Sequence, residues 1–325
     1  AAAAAVDGAV DDAARAEQVS NPTHGQHQQF ASDIDQQCWT SADFWQCVSD
    51  EMAGYEADPA LERFRGFCHN LRTKAPGSVA VDAVTGRELL EQYTFPDLPP
   101  SKGFYELDEL REQAPYLPRL EADDFVATAR AELEATLLAS PLHDDERPPT
   151  VDELSATPWV PAAWKGWQFL PLRASAGLES TRKTVRQHVP YAHRFCGIAR
   201  QGPKSRGAVH SDRRNYMLST LTGLEGCSSC GIMVNDEERP IESGKTLVVD
   251  NTFLHQVWND ADVNRFVLMV EVWHPSLTKE ERKAMRTLFA LKDMYSAVVL
   301  QAAPWGVSDE AIYRASDEEL LEVGF

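Results

Sequence analysis

The sequence predicts an α+β protein in which helices toward both ends flank a β-rich middle. Three observations predict it. Apolar residues recur at helical spacing between Ser32 and Asn70 and again from Ala122 to Leu138. Runs rich in β-branched residues, punctuated by turn residues, fill the stretch from Gly244 to Pro275. Capping-box patterns at Thr278-Lys279-Glu280-Glu281 and Ser316-Asp317-Glu318-Glu319 open helices near the C-terminus.

Taken in order, residues 1–30 are rich in Ala, Asp, Gln and His without a period and read as a flexible tail, with His24 and His27 in solvated loop. The chain starts at Ala1 and its first methionine is Met52, so it reads as a processed or trimmed product. Residues 31–115 form a helical N-terminal region and linker. Ile34, Cys38, Phe44, Trp45, Val48 and Met52 mark one amphipathic helix, and Leu61, Phe64, Phe67 and Cys68 a second, opened by Pro59. Cys38 and Cys47 fall on opposite sides of the first helix, as small buried side chains that cannot pair. Trp39 and Trp45 are expected to anchor packing. Residues 75–118, with Phe95-Pro96-Asp97-Leu98-Pro99-Pro100, are the linker or wrapping segment.

Residues 116–290 form the expected principal domain. Its entry helix presents Phe125, Ala129, Leu133 and Leu137 on one face. Trp159, Trp164 and Trp167 follow in a loop-rich stretch, as core or as pocket lining. His188 and His193 are minor candidates for touching substrate. Cys227-Ser228-Ser229-Cys230 reads as a turn before a strand at Ile232–Val234, with a redox or disulfide role as the alternative. Thr246–Val249 is a strand, Asp250-Asn251 a turn, and Arg265–Trp273 an almost wholly apolar strand buried on both faces. His274 ends that strand as a packed or hydrogen-bonded residue. The helix from Thr278 turns Met285, Leu288, Phe289, Met294 and Tyr295 toward a partner surface, and residues 291–325 form a C-terminal helical extension. The N- and C-terminal extensions close over the domain or dock onto another protein.

The chemistry concentrates between His210 and Arg265. Side chains at i and i+2 of a strand share a face, so His210 and Asp212 can converge on one ion while Ser211 points away. His255 then arrives from a separate strand. Two neutral imidazoles and one carboxylate leave three positions of an octahedral ion open, the pattern of non-haem iron(II) sites that bind a co-substrate and dioxygen together. A structural zinc site closes those positions instead. Arg265 is the one charged residue at the head of an apolar strand. One reading makes it an exposed strand end paired with Asp262 or Glu271. The other places a permanently charged guanidinium in a barrel mouth, where a dicarboxylic co-substrate supplies its partner.

His210-Ser211-Asp212, Glu242-Ser243-Gly244-Lys245, Asp250-Asn251-Thr252-Phe253, His255-Gln256-Val257-Trp258-Asn259, Arg265 and Val272-Trp273-His274-Pro275 together resemble the aspartyl/asparaginyl β-hydroxylase family of 2-oxoglutarate-dependent oxygenases. The likeness begins near Tyr116-Leu117-Pro118-Arg119-Leu120, includes Gly166-Trp167-Gln168-Phe169 and fades after Glu280-Glu281-Arg282. It implies a double-stranded β-helix of jelly-roll or cupin type, with Fe(II) held by His210, Asp212 and His255 and 2-oxoglutarate held by Arg265. Ascorbate is the expected reductant. Some family members carry glycine in place of Asp212; its presence here favours hydroxylation or desaturation over halogenation. Ser219 stands where the peptide hydroxylase has a further basic residue, which alters the co-substrate and substrate pocket. The expected enzyme is therefore a dioxygenase that hydroxylates or desaturates an unactivated C–H bond of a small or medium-sized substrate, releasing succinate and CO2. The alternatives are a peptidyl Asp/Asn β-hydroxylase and a non-catalytic oxygenase-fold subunit of a larger assembly.

Composition sets the outer limits. The chain of 325 residues has a hydrophobic fraction of 43%, enough for a substantial core. A formal charge of −19 argues against a nucleic-acid partner. Lys204, Arg206, Arg213 and Arg214 gather locally, either as solvated loop charge or to attract an anionic substrate. Six cysteines are too few for a disulfide scaffold. No apolar run reaches membrane-spanning length, so a soluble protein is expected, organellar after removal of a targeting segment as one location; the compartment itself is not readable.

Overall fold

The computed structural model describes residues 35–99, 101–143, 156–161, 166–172 and 175–298. The N-terminal tail, Trp164, the side chain of His193 and the helix expected at Ser316 lie outside the described residues. After a helical turn at residues 35–40, the helices among the described residues are α1 (Ala42–Glu51), α2 (Glu62–Thr73), α3 (Asp123–Ala139), α4 (Glu179–His188) and α5 (Lys279–Val298). The strands are β1 (Val79–Val81), β2 (Glu88–Leu90), β3 (Phe104–Tyr105), β4 (Val160–Pro161), β5 (Trp167–Pro171), β6 (Tyr191–Gln201), β7 (Ser205–Arg206), β8 (Met217–Glu225), β9 (Cys230–Val234), β10 (Glu237–Pro240), β11 (Thr246–Val249), β12 (His255–Asn259) and β13 (Arg265–Trp273).

From β6 onward the chain alternates between two antiparallel sheets, with the β9–β10 hairpin counting as a single visit to the smaller one. One, of seven strands, has the order β3-β11-β8-β13-β6-β5-β4; the other, of four, has the order β10-β9-β12-β7. That alternation is the winding of a double-stranded β-helix. An apolar layer containing Ala199, Leu221, Ile232, Val234, Val249, Phe253, Val257 and Val267 fills the space between the sheets. The outer face of the larger sheet buries Leu170, Ile198, Leu218, Val248, Leu268, Val270 and Val272 under Phe125, Val126, Ala129 and Leu133 of α3 and Val185 of α4. β13 therefore points Phe266, Leu268, Val270 and Val272 to the helices and Arg265 and Val267 to the barrel interior, as strand alternation requires.

The N-terminal region departs from a pair of helices on a linker. Residues 35–40 are helical, and Ser41 then caps α1, its Oγ accepting from Phe44 N at 3.2 Å. Cys38 and Cys47 thus sit on separate helices, Cys38 fully buried against Ser296 and Cys47 exposed, which corrects the expectation that both are buried. The linker also carries structure: β1 and β2 pair as a hairpin, and β3 adds an edge strand to β11. Phe44, Val48, Phe64, Phe67 and Leu71 pack with Tyr216 and Trp273 of the barrel and with Met285, Leu288 and Phe289 of α5. The capping box opening α5 is reciprocal, Glu281 N donating to Thr278 Oγ1 at 3.1 Å and Thr278 N to Glu281 Oε2 at 2.8 Å. α5 runs unbroken through the boundary drawn at residue 290, because its buried stripe continues to Leu291 and Tyr295 against the N-terminal helices. Met294, expected to face a partner surface, is 46% exposed. Among the described residues no helix is long and apolar enough to cross a membrane.

Candidate functional site

His255 opens β12 at the mouth of the barrel, and His210 meets it through an isolated antiparallel bridge. Each backbone donates to the other, His255 N to His210 O at 2.8 Å and His210 N to His255 O at 3.1 Å. His210 to Asp212 is thus not a regular strand as expected. The alternation survives all the same: Ser211 turns away to donate to Thr252 O at 3.0 Å, and Asp212 N donates to Asn251 O at 2.7 Å. The polar ligand atoms of His210, Asp212 and His255 lie within 4.8 Å of one another, and the two imidazole centroids are 4.2 Å apart.

Each ring is oriented by the backbone carbonyl two residues before it. Nδ1 of His210 donates to Ala208 O at 2.9 Å, and Nδ1 of His255 to Phe253 O at 3.0 Å. With Nδ1 protonated, Nε2 is the unprotonated nitrogen of each ring, the tautomer a metal ligand needs. Burial lowers the pKa of His255 against the opposing pull of the Asp212 charge, which favours the neutral imidazole. The cluster thus offers two imidazole nitrogens and one carboxylate to a metal ion.

Asn251 is a functional residue that the turn reading of Asp250-Asn251 missed. Its Nδ2 donates to Asp212 Oδ2 at 3.2 Å and to Ser219 Oγ at 2.6 Å. Ser219, on the inner face of β8, is therefore tied to the carboxylate through Asn251. The signal was present only as an Asn two residues after a β-branched run, and Asn in turns is common for backbone reasons alone.

Arg265 is 1% exposed. Neither Asp262 nor Glu271 pairs with it: Asp262 meets Lys204 at 3.1 Å, and Glu271 accepts from Phe195 N at 3.1 Å. Its Nε and Nη1 make no hydrogen bond, and its guanidinium lies 5.4 Å from the ring of Trp167, which flanks it across Gln201 of β6. Burial pushes its pKa down to about 10, so it still carries its charge near neutrality. A buried guanidinium with unmet donors is costly unless an anion joins it.

The other expected residues divide. Trp159 is core, packed on Phe266, and His188 is exposed at the end of α4. His274 is buried, its Nδ1 accepting from Ser276 N at 3.2 Å. The local basic residues are spoken for: Lys204 and Arg206 by Asp262 and Asp260, Arg213 by Glu88, and Arg214 by the ring of Tyr93.

Residues 128–275 match the family model described as aspartyl/asparaginyl beta-hydroxylase. This segment is similar to the aspartyl/asparaginyl β-hydroxylase family. The match begins inside α3, later than the Tyr116 start expected from the residues. The aspartyl/asparaginyl beta-hydroxylase of Mus musculus is 39% identical over 80 residues, covering 23% of this chain and 10% of that protein. Aspartate beta-hydroxylase domain-containing protein 2 of Mus musculus is 31% identical over 84 residues, covering 25% of this chain and 24% of that protein. The chain thus spans from about a tenth to about a quarter of the length of these relatives. An oxidoreductase of the 2OG-Fe(II) oxygenase family from Burkholderia pseudomallei superposes with a TM-score of 0.31 at 15% identity over 45% of this chain and 79% of its own, too low a score to bear on the assignment. The matched segment contains the His210, Asp212 and His255 cluster and Arg265, whereas the β1–β2 hairpin and α5 lie beyond it.

Proposed function

We propose that the chain is an Fe(II)- and 2-oxoglutarate-dependent dioxygenase that hydroxylates an unactivated C–H bond of a small or medium-sized substrate. One juxtaposition carries the reading: two histidines in the coordinating tautomer and a carboxylate share a small space, and the same barrel interior holds a guanidinium with unmet donors. An open three-ligand set of this type suits iron(II), and the unmet donors of Arg265 suit the far carboxylate of a dicarboxylic co-substrate. The chemistry supplied there is oxidative decarboxylation of 2-oxoglutarate by dioxygen to succinate and CO2, with one oxygen atom inserted into the substrate C–H bond. His210, Asp212 and His255 would hold the iron. Asn251, itself braced by Ser219, fixes the rotation of the Asp212 carboxylate, and Arg265 receives the distal carboxylate. The barrel's part is orientation and exclusion of water. Ascorbate serves as an external reductant in assay.

A peptidyl aspartyl or asparaginyl substrate is the second reading, favoured by the names of the matched relatives. Ser219 in place of a basic residue favours the first. Anaerobic titration of the Fe(II) protein with 2-oxoglutarate should give a visible charge-transfer band, and aerobic incubation should yield succinate. Both should be lost in His255→Ala. No band and no succinate above that variant would sink the oxygenase reading. Mass gain of one oxygen, screened in parallel on metabolite extracts and on Asp- or Asn-containing peptides, separates the two substrate classes.

A further inference from the structure

The Cys227-Ser228-Ser229-Cys230 turn lies against Arg265. Gly226 has φ +69°, and a Cβ there would sit 1.9 Å from Asn264 O, so the chain doubles back tightly between β8 and β9. Both sulfurs reach the apolar layer inside the barrel, Cys230 buried and Cys227 half-buried. The turn packs on Arg265, whose Cα would lie 3.2 Å from a Cβ at Gly226, and Arg265 is the cation that both thiols feel. Otherwise they meet only backbone carbonyls: Cys227 Sγ lies 3.4 Å from Glu225 O and 3.8 Å from Phe266 O, and Cys230 Sγ lies 3.8 Å from Ile241 O. The neighbouring Cys227, reinforced by Arg265 and opposed by burial, lowers the pKa of Cys230 while that of Cys227 is raised, so Cys230 is the thiol of the two that ionises first.

We propose that Cys227 and Cys230 are a redox modification site, a reversible disulfide whose formation tightens the grip of Arg265 on a carboxylate ligand; the second half rests on the 2-oxoglutarate reading of Arg265. With a hydroperoxide as oxidant, the Cys230 thiolate attacks one peroxide oxygen, the O–O bond breaks, and Cys230 becomes a sulfenic acid as hydroxide leaves. The Cys227 thiol then attacks that sulfur, the S–S bond forms and the sulfenic oxygen leaves as water. The dithiol loses two electrons and two protons, and hydrogen peroxide becomes two waters. The thiolate competes with a ligand carboxylate for the guanidinium, and the neutral disulfide does not.

The test uses the full chain loaded with Mn(II), which avoids iron–peroxide side reactions, treated with hydrogen peroxide or with dithiothreitol. Alkylation and peptide mass spectrometry should show both thiols lost within the one peptide spanning Cys227 and Cys230, with a mass lower by two hydrogens and reversal by dithiothreitol. Calorimetry should show 2-oxoglutarate bound at least threefold more tightly by the oxidised form, and no such change in Cys227→Ser or Cys230→Ser, either of which suffices if the other does not fold. Thiols that stay free, or that go only to sulfinic acid, overturn the site. Equal or weaker binding after oxidation overturns the coupling. If neither form binds 2-oxoglutarate, the assigned role of Arg265 and the coupling both fall, whereas the thiol count still decides the disulfide.

Discussion

Arg265 sets function against stability within one side chain. A guanidinium that is 1% exposed, with Nε and Nη1 lacking hydrogen bonds, is worse for the fold than an apolar side chain of similar length. Arg265→Met should therefore raise the unfolding free energy by about 1–4 kcal/mol, read as a higher urea midpoint, on the precedent of buried charges replaced by well-packed hydrophobic residues. It should also abolish 2-oxoglutarate binding. A variant that lost stability and kept its affinity would show the guanidinium to be structural. Asn251 makes the complementary case. Its Nδ2 orients Asp212, and outer partners of this kind are worth about 10–100-fold in metal affinity. Asn251→Ala should weaken Mn(II) binding by that order in equilibrium dialysis while leaving the fold intact; unchanged affinity would remove Asn251 from the site. The candidate ligands were legible in the sequence because His-x-Asp, a weak signal alone, stands beside the specific His255 and Trp273 segments, and Arg265 is the one charge at the head of an apolar strand. Asn251 was not, since an Asn in a turn explains itself.

At the scale of elements, the β1–β2 hairpin from outside the family-matched segment holds in place the loops that carry the candidate ligands. Glu88 N donates to Thr252 O at 2.8 Å, Leu90 N to Arg213 O at 3.0 Å, and Arg213 Nε to Glu88 Oε2 at 2.7 Å. Arg87 reaches furthest, its Nε donating to Thr252 Oγ1 at 2.5 Å and its Nη2 to the fully buried Asp250 at 3.2 Å. Thr252 and Asp250 flank Asn251, and Phe253 O fixes the His255 ring. Arg87→Ala would leave Asp250 buried without its cation, which costs about 3–5 kcal/mol. It should also lower metal affinity, and Arg87→Lys should recover part of both. Full stability and unaltered Mn(II) affinity in Arg87→Ala would reduce the hairpin to a bystander. This hairpin was hidden in the sequence because Val79–Val81 and Glu88–Leu90 are three-residue strands in a Pro- and Gly-rich stretch, too short for a period to show. The long elements were legible for the opposite reason: α3 and β13 repeat their apolar pattern over 17 and 9 residues.

At the scale of the molecule, the barrel and the N-terminal helices share one buried core, and His274 sits close to that seam. It is 3% exposed, and burial pushes its pKa down to about 4, with Asp250 pulling it up and Arg87 and Arg63 adding to the fall. Nδ1 accepts from Ser276 N, so protonation there must also break that hydrogen bond. The sign follows from linkage. Below the unfolded value of about 6.5 the unfolded chain takes up a proton that the folded chain refuses, so stability is full above about pH 6.5 and declines as pH falls toward the folded value. A gap of about 2.5 units is worth about 3 kcal/mol, a large share of the roughly 5–15 kcal/mol that holds a typical domain together. His255, whose pKa is also lowered, adds to the loss in the same direction. Urea unfolding of the metal-free chain should therefore show stability falling between pH 6.5 and pH 4. In His274→Asn, whose side-chain oxygen can still accept from Ser276 N, the fall should shrink by about 3 kcal/mol. Identical pH profiles for the two proteins would mean that acid opens the molecule elsewhere than at the seam between barrel and helices.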